Sequence, residues 1–175
     1  SGNKLIKEVE FCLCTFDDKI LGEVMEIFSS MVRIEGVKLV SCLFKEKLEN
    51  EPFKSLKEFN LSKLEISGTT NFDKLFHNKT NQRKYWTGLK SLEIKLEGLK
   101  SITFQNVDYL SFQGFQHLNQ LRILDLSFKE CSQMTDEGVR SFSSQGLKYL
   151  TQLLSLNLNF SQCSQITDEG INILS

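Results

Sequence analysis

The chain has 175 residues, enough for one domain with a sizeable core, and its 40% apolar and 25% charged residues are ordinary for a globular protein. Net charge is -1, with 14 basic against 13 acidic residues over 1–88 and 7 against 9 over 89–175, so neither half carries the basic excess of a domain held by phosphate contacts. No apolar run nears the roughly 20 residues that span a bilayer, and the charged, alternating start after Ser1-Gly2-Asn3-Lys4 does not read as a signal peptide.

The first element is a strand frame, Ile6-x-x-Val9-x-Phe11, with Cys14 three residues on. Behind it Ile20, Val24, Ile27, Phe28, Met31 and Val32 recur at helical spacing, and Thr15 and Asp18 stand three apart, as in a capping box. The second frame is Ile34-x-x-Val37-x-Leu39, again with a cysteine, Cys42, three residues on. The third frame is Leu56-x-x-Phe59-x-Leu61, and Asn71 is placed to cap a short helix through Phe72, Leu75 and Phe76. Residues 78–86 (NKTNQRKYW) read as a solvated loop whose Tyr85 and Trp86 fold back on the core; single-strand nucleic-acid contact through Lys79, Arg83 and Lys84 is the weaker reading. The fourth frame starts at Leu89. Leu99-Ile102-Phe104 also fits, but ten residues cannot complete a coil, so it is read as a linker inside the Leu89 unit. The fifth and sixth frames start at Leu121 and Leu153.

Self-comparison binds these elements together. Residues 121–143 and 153–175 align without a gap at an offset of 32, with 12 of 23 positions identical, among them Leu124/Leu156, Leu126/Leu158, Cys131/Cys163 and the run Thr135-Asp136-Glu137-Gly138 against Thr167-Asp168-Glu169-Gly170. The same offset aligns Leu89, Leu92, Val107, Gly114, Leu118 and Gln120 with Leu121, Leu124, Val139, Gly146, Leu150 and Gln152. Starts at 6, 34, 56, 89, 121 and 153 give spacings of 28, 22, 33, 32 and 32, a period range that signals a solenoid.

The pattern L-x-x-L-x-L followed by C-x-x-[IM]-T-D-E-G resembles the cysteine-containing, ribonuclease-inhibitor-like class of leucine-rich repeat. The match covers nearly the whole chain and is most specific in the last two units. It departs from the family where the cysteine stands five residues after the last strand leucine (Leu126 to Cys131, Leu158 to Cys163) instead of three. The resemblance implies an α/β solenoid, a horseshoe with a parallel sheet on the concave face and helices on the convex face. It also implies that Cys14, Cys42, Cys131 and Cys163 are buried, stacked thiols. The physical logic agrees: Leu124 and Leu126 point one way while Asp125 points the other, and one such strand hides its apolar side only by stacking on its neighbours. Residues 1–175 are thus expected to form a single domain of about six units. The sixth unit ends one or two turns into its return helix, so a longer array is expected, or another chain covering that end.

Residues with chemical potential have a structural explanation here. Four cysteines recur at one position per unit, unlike metal ligands or nucleophiles, and Cys12-Leu13-Cys14 lacks the spacing of a zinc or redox pair. The odd count of five cysteines points to a reducing, intracellular, cytoplasmic setting. The paired carboxylates of the Thr-Asp-Glu-Gly runs fall at helix starts, where they cap. His117 aligns with Tyr149, and His77 lies in a polar stretch, so no nucleophile–histidine–acid set emerges. No enzyme, metal or cofactor is expected.

Function is instead expected on the concave face. The position between the two strand apolar residues gives a column Glu10, Lys38, Asn60, Glu93, Asp125 and Asn157. The position after the first frame residue gives a second column, in which Lys57, Lys90 and Arg122 are the candidate contacts. The expected role is a protein-interaction module or scaffold, with a cytoskeletal or ciliary assembly as one version. Enzyme regulation, or substrate recognition in a ubiquitin-ligase adaptor, is the alternative. Membrane contact is not expected, and nucleic acid is the least favoured partner.

Overall fold

The structure, a computed structural model, describes residues 7–16, 19–20, 23–24, 34–44, 62–69, 87–100, 102–103, 105, 107 and 114–174. Its main feature is a six-stranded, wholly parallel sheet in which the strands follow one another in chain order. These are β1 (Glu8–Cys12), β3 (Gly36–Val40), β5 (Lys63–Ser67), β6 (Ser91–Lys95), β7 (Ile123–Ser127) and β8 (Ser155–Asn159). Two short strands, β2 (Thr15–Phe16) and β4 (Leu43–Phe44), form a separate parallel pair. The registers Glu8↔Gly36, Gly36↔Lys63, Lys63↔Ser91, Ser91↔Ile123 and Ile123↔Ser155 correspond to offsets of 28, 27, 28, 32 and 32 residues.

Each strand alternates, as a pleated chain with one buried face must. Leu64, Ile66, Leu92, Ile94, Leu124 and Leu126 are fully buried, and the residues between them face outward. The inward residues share one core with Val107, Phe115, Leu118, Phe142 and Leu150 from the return segments. Phe115 and Phe142 meet edge to face at 5.8 Å. Two short helices are described, α1 (Asp136–Ser141) and α2 (Asp168–Asn172). The predicted caps are present: Thr135 Oγ1 accepts from Gly138 N (3.4 Å) and Thr167 Oγ1 from Glu169 N (3.2 Å). After α1 the chain widens into a π turn at Phe142–Gly146 and tightens into a 3-10 turn at Leu147–Tyr149.

Two expectations are corrected. The third strand frame is not Leu56-x-x-Phe59-x-Leu61 but Leu61-x-x-Leu64-x-Ile66, with its strand at Lys63–Ser67. Both stretches satisfy the same apolar spacing, and the pairing of Leu64 with Val37 and Leu92 decides between them. With this strand the first three spacings become 28, 27 and 28 residues in place of the uneven 28, 22 and 33. Thr15 lies in β2, paired with Leu43, and not at a helix start. Residues 19–20 and 23–24 are helical, as the apolar spacing predicts. Ile27, Phe28, Met31 and Val32, the proposed Asn71 cap and the 78–86 loop lie outside the described residues.

The departure at the last cysteines has a geometric explanation. Among the described residues six have a left-handed backbone: Leu13, Ser41, Gly68, Gly98, Glu130 and Gln162, with φ of 54°, 50°, 57°, 70°, 63° and 63°. Each directly precedes the position of Cys14, Cys42, Thr69, Leu99, Cys131 or Cys163. After β1, β3 and β5 the left-handed residue follows the strand at once. After β6, β7 and β8 two more residues intervene, and the first of each pair, Leu96, Phe128 and Phe160, adds a layer to the core. Phe128 and Phe160 stack at 5.7 Å with ring planes 8° apart.

Candidate functional site

Parallel sheets usually bury both faces. Here, among the described elements, none packs on the face opposite the core, and the strand registers sort its residues into rows. The central row is Glu10, Lys38, Glu65, Glu93, Asp125 and Asn157, each in register with the next. Five of the six residues predicted for this row are therefore brought together. The third place belongs to Glu65 instead of Asn60, for the frame reason given above. Asn60 and Lys57 lie outside the described residues, and Ser62 holds the place assigned to Lys57. The second row is joined by backbone bonds: Arg122 N donates to Lys90 O (2.9 Å) and Leu154 N to Arg122 O (2.8 Å).

Most charges of the central strands are satisfied within the face. Lys38 Nζ meets Glu65 at 2.8 Å, and Lys63 reaches both Glu8 (3.3 Å) and Glu65 (3.6 Å). Partial burial pushes the Glu65 carboxyl up, but Lys38 and Lys63 outweigh it and hold it below its ordinary value. Their own ammonium groups are raised, chiefly by the hydrogen bond to Glu65 for Lys38 and to Glu8 for Lys63. Lys95 pairs with Glu93, which raises its pKa. Asn157 Nδ2 donates to Asp125 at 3.1 Å. Lys90 and Arg122 differ: both are exposed, and no carboxylate pairs with them among the described residues. Beside them Ile123 is 48% and Leu154 80% exposed, a feature that the alternation of Leu124 and Leu126 alone did not reveal.

Behind the face runs a ladder of small polar side chains. Cys42, Cys131 and Cys163 are buried, Cys14 is half-buried, and Thr69 occupies the third place. Cys131 Sγ donates to Leu96 O (2.9 Å), Cys163 Sγ to Phe128 O (3.0 Å) and Cys42 Sγ to Phe11 O (3.4 Å). Thr69 Oγ1 donates to Leu39 O and accepts from Cys42 N, both at 3.3 Å. Cys42, Thr69, Cys131 and Cys163 thus each bond back to the segment of the preceding strand. Burial pushes the Cys131 thiol up to about 11 and raises those of Cys42 and Cys163. Thiolate chemistry is suppressed here. Exposed Cys12 is also raised, first by its hydrogen bond to Glu10 (3.3 Å).

The Asp136 carboxylate makes a second tie between coils. Its Oδ1 accepts from Thr167 N (2.8 Å) and its Oδ2 from Thr167 Oγ1 (2.7 Å). These bonds, the backbone one first, hold its pKa below the usual carboxylate value. It also lies where a Cβ on Gly170 would be, so position 170 admits no larger side chain without a shift. The paired acids at this helix start therefore serve structure.

Among the described residues no group of three His, Cys, Asp or Glu side chains is placed to hold a metal. Nor is any described helix long and apolar enough to cross a membrane. Comparison with protein-family profiles and with curated proteins finds no match.

Proposed function

We propose that this chain is a leucine-rich repeat module of the cysteine-containing, ribonuclease-inhibitor-like class. In this reading it is a non-catalytic solenoid of about six units that binds a partner protein with the concave face of its sheet. One observation carries the reading: six parallel strands in chain order bury one face and carry charged rows in register across the other. The recurrence of Cys14, Cys42, Thr69, Cys131 and Cys163 at one place after their strands, directly behind the left-handed residue, supports the repeat class. The five free thiols support a reducing, cytoplasmic setting.

The test is site-specific photocrosslinking in cells. A benzophenone side chain at Glu93 or Asp125 should give discrete adducts, and one at Glu137 on α1 should not. Charge reversal at Glu93 and Asp125 should weaken the captured partner more than reversal at Glu137. Equal adducts from both surfaces, or the opposite order, would defeat the reading. The partner's identity then separates scaffold from enzyme regulator.

A further inference from the structure

The outward face is not uniform, and one of its regions suggests what it recognises. Across β1, β3 and β5 part of the outward charge is paired, Glu8 with Lys63 and Glu65 with Lys38 and Lys63, while exposed Lys7, Glu10 and Glu35 enter no ion pair among the described residues. At the starts of β6, β7 and β8 two cations stand side by side. Lys90 and Arg122 are neighbours through the 2.9 Å bond from Arg122 N to Lys90 O. Both are exposed, and neither has an acidic partner among the described residues. Two like charges on adjacent strands, about 4.8 Å apart at the backbone, repel unless an outside anion lies between them. The next residues on the same edge, Ile123 and Leu154, are large aliphatic groups that this chain leaves in water. Cations and apolar groups left uncovered side by side mark a contact surface better than either alone.

We propose that Lys90, Arg122, Ile123 and Leu154 form the docking patch for an extended protein segment that carries an acidic side chain beside an aliphatic one. The inference rests on the sheet face being the binding face and names what it binds. The carboxylate lies over Lys90 and Arg122, where the Arg fork receives it. The aliphatic side chain covers Ile123 and Leu154. The two pairs are offset by about one strand spacing, ~5–7 Å, which suits residues i and i+2 of an extended segment. Charge complementarity favours a peptide over a nucleic acid. Glu93 and Asp125 stand two to three residues along from the two cations and repel a continuing polyanion.

The test uses the full chain as bait for a random-peptide phage library, with binding constants measured for the enriched peptides. Those peptides should pair Asp or Glu with Leu, Ile or Val. Arg122→Glu and Leu154→Ser should each weaken them about tenfold or more. Both positions are exposed, so the variants should keep the parent's melting temperature, which the same samples report. A pool without acidic residues, or no enrichment, would overturn the proposal. Peptides weakened by Glu65→Lys and Glu93→Lys but not by Arg122→Glu would overturn it and leave the sheet-face reading standing. Peptides indifferent to all four variants would defeat both. Tighter binding of oligothymidylate than of any peptide, lost with Arg122→Glu, would assign the patch to nucleic acid.

Discussion

The sheet is built on two spacings. From β1 to β6 each strand follows its neighbour by 27 or 28 residues, and from β6 to β8 by 32. The shorter segments turn at once after the strand, and on their outer face Glu8, Lys38, Lys63 and Glu65 pair with one another. The longer coils insert two residues before the left-handed turn, bury Leu96 and Phe128, and bond their thiols more tightly, at 2.9–3.0 Å against 3.4 Å for Cys42. They also carry the uncovered cations and aliphatic groups. The added buried layer and the exposed cations and aliphatic groups therefore coincide in the longer segments, and a docking surface needs a rigid support.

The largest break in this comparison should come from Phe128→Ala. It removes a fully buried ring from a layer that the shorter coils lack, and should cost about 3–5 kcal/mol in denaturant unfolding. A loss below about 1.5 kcal/mol would mean the added layer is not what firms the longer coils.

Gly170→Ala comes next, at about 1–3 kcal/mol, because its methyl group would displace the Asp136 carboxylate. Combining it with Asp136→Ala should recover part of the loss, a coupling that a double-mutant cycle reads directly. Asp136 also carries a pH signature. Its pKa is lowered in the folded state, so its contribution is fully present above the unfolded value near ~3.9 and is lost as pH falls through the folded value. The stability gap between the parent and Asp136→Asn should thus be flat near neutrality and shrink below about pH 4. A gap that persists undiminished at the acid end would contradict this.

The thiol ladder gives a smaller effect. Cys131→Ser keeps a donor for Leu96 O and should cost about 1 kcal/mol. Cys131→Val fills the space but leaves Leu96 O with only the longer 3.3 Å bond from Leu99 N, and should cost about 2 kcal/mol. The reverse order would make the thiol a matter of volume only. With its pKa near 11, Cys131 should also resist alkylation at pH 8 until the chain unfolds, whereas exposed Cys12 reacts. Smallest is Glu130→Gly, where a left-handed backbone (φ 63°) favours glycine and a gain of about 0.5–1 kcal/mol is expected in thermal melts.

How far the sequence foretells this depends on how many independent signals mark each strand. At Leu121 and Leu153 the apolar frame, the cysteine and the Thr-Asp-Glu-Gly run coincide, and both strands fall where expected. At the third frame only apolar spacing was available, and it fits two registers five residues apart. The deciding marks were Gly68, free to adopt φ of 57°, and Thr69, which takes a cysteine's place because its hydroxyl makes the same bonds. Reading threonine as a stand-in for cysteine needs the hydrogen-bond partners, which sequence does not display. Likewise, the row Glu10, Lys38, Glu93, Asp125 and Asn157 was legible from period two. Which of its charges were already spent on one another was not, because pairing depends on side-chain reach across strands.

The Asp136 carboxylate seated against Gly170 sets a rule of succession between coils. A segment that offers an aspartate at this place must be followed by one with a bare backbone at the matching glycine. The residue 32 before Asp136 is Phe104, which has no carboxylate to offer, so the preceding junction cannot be joined in the same way. The coils are therefore not interchangeable modules. Recombination that shuffled them would produce some orders that lock and others that do not, and any lengthening by duplication would need to copy the aspartate and the glycine together.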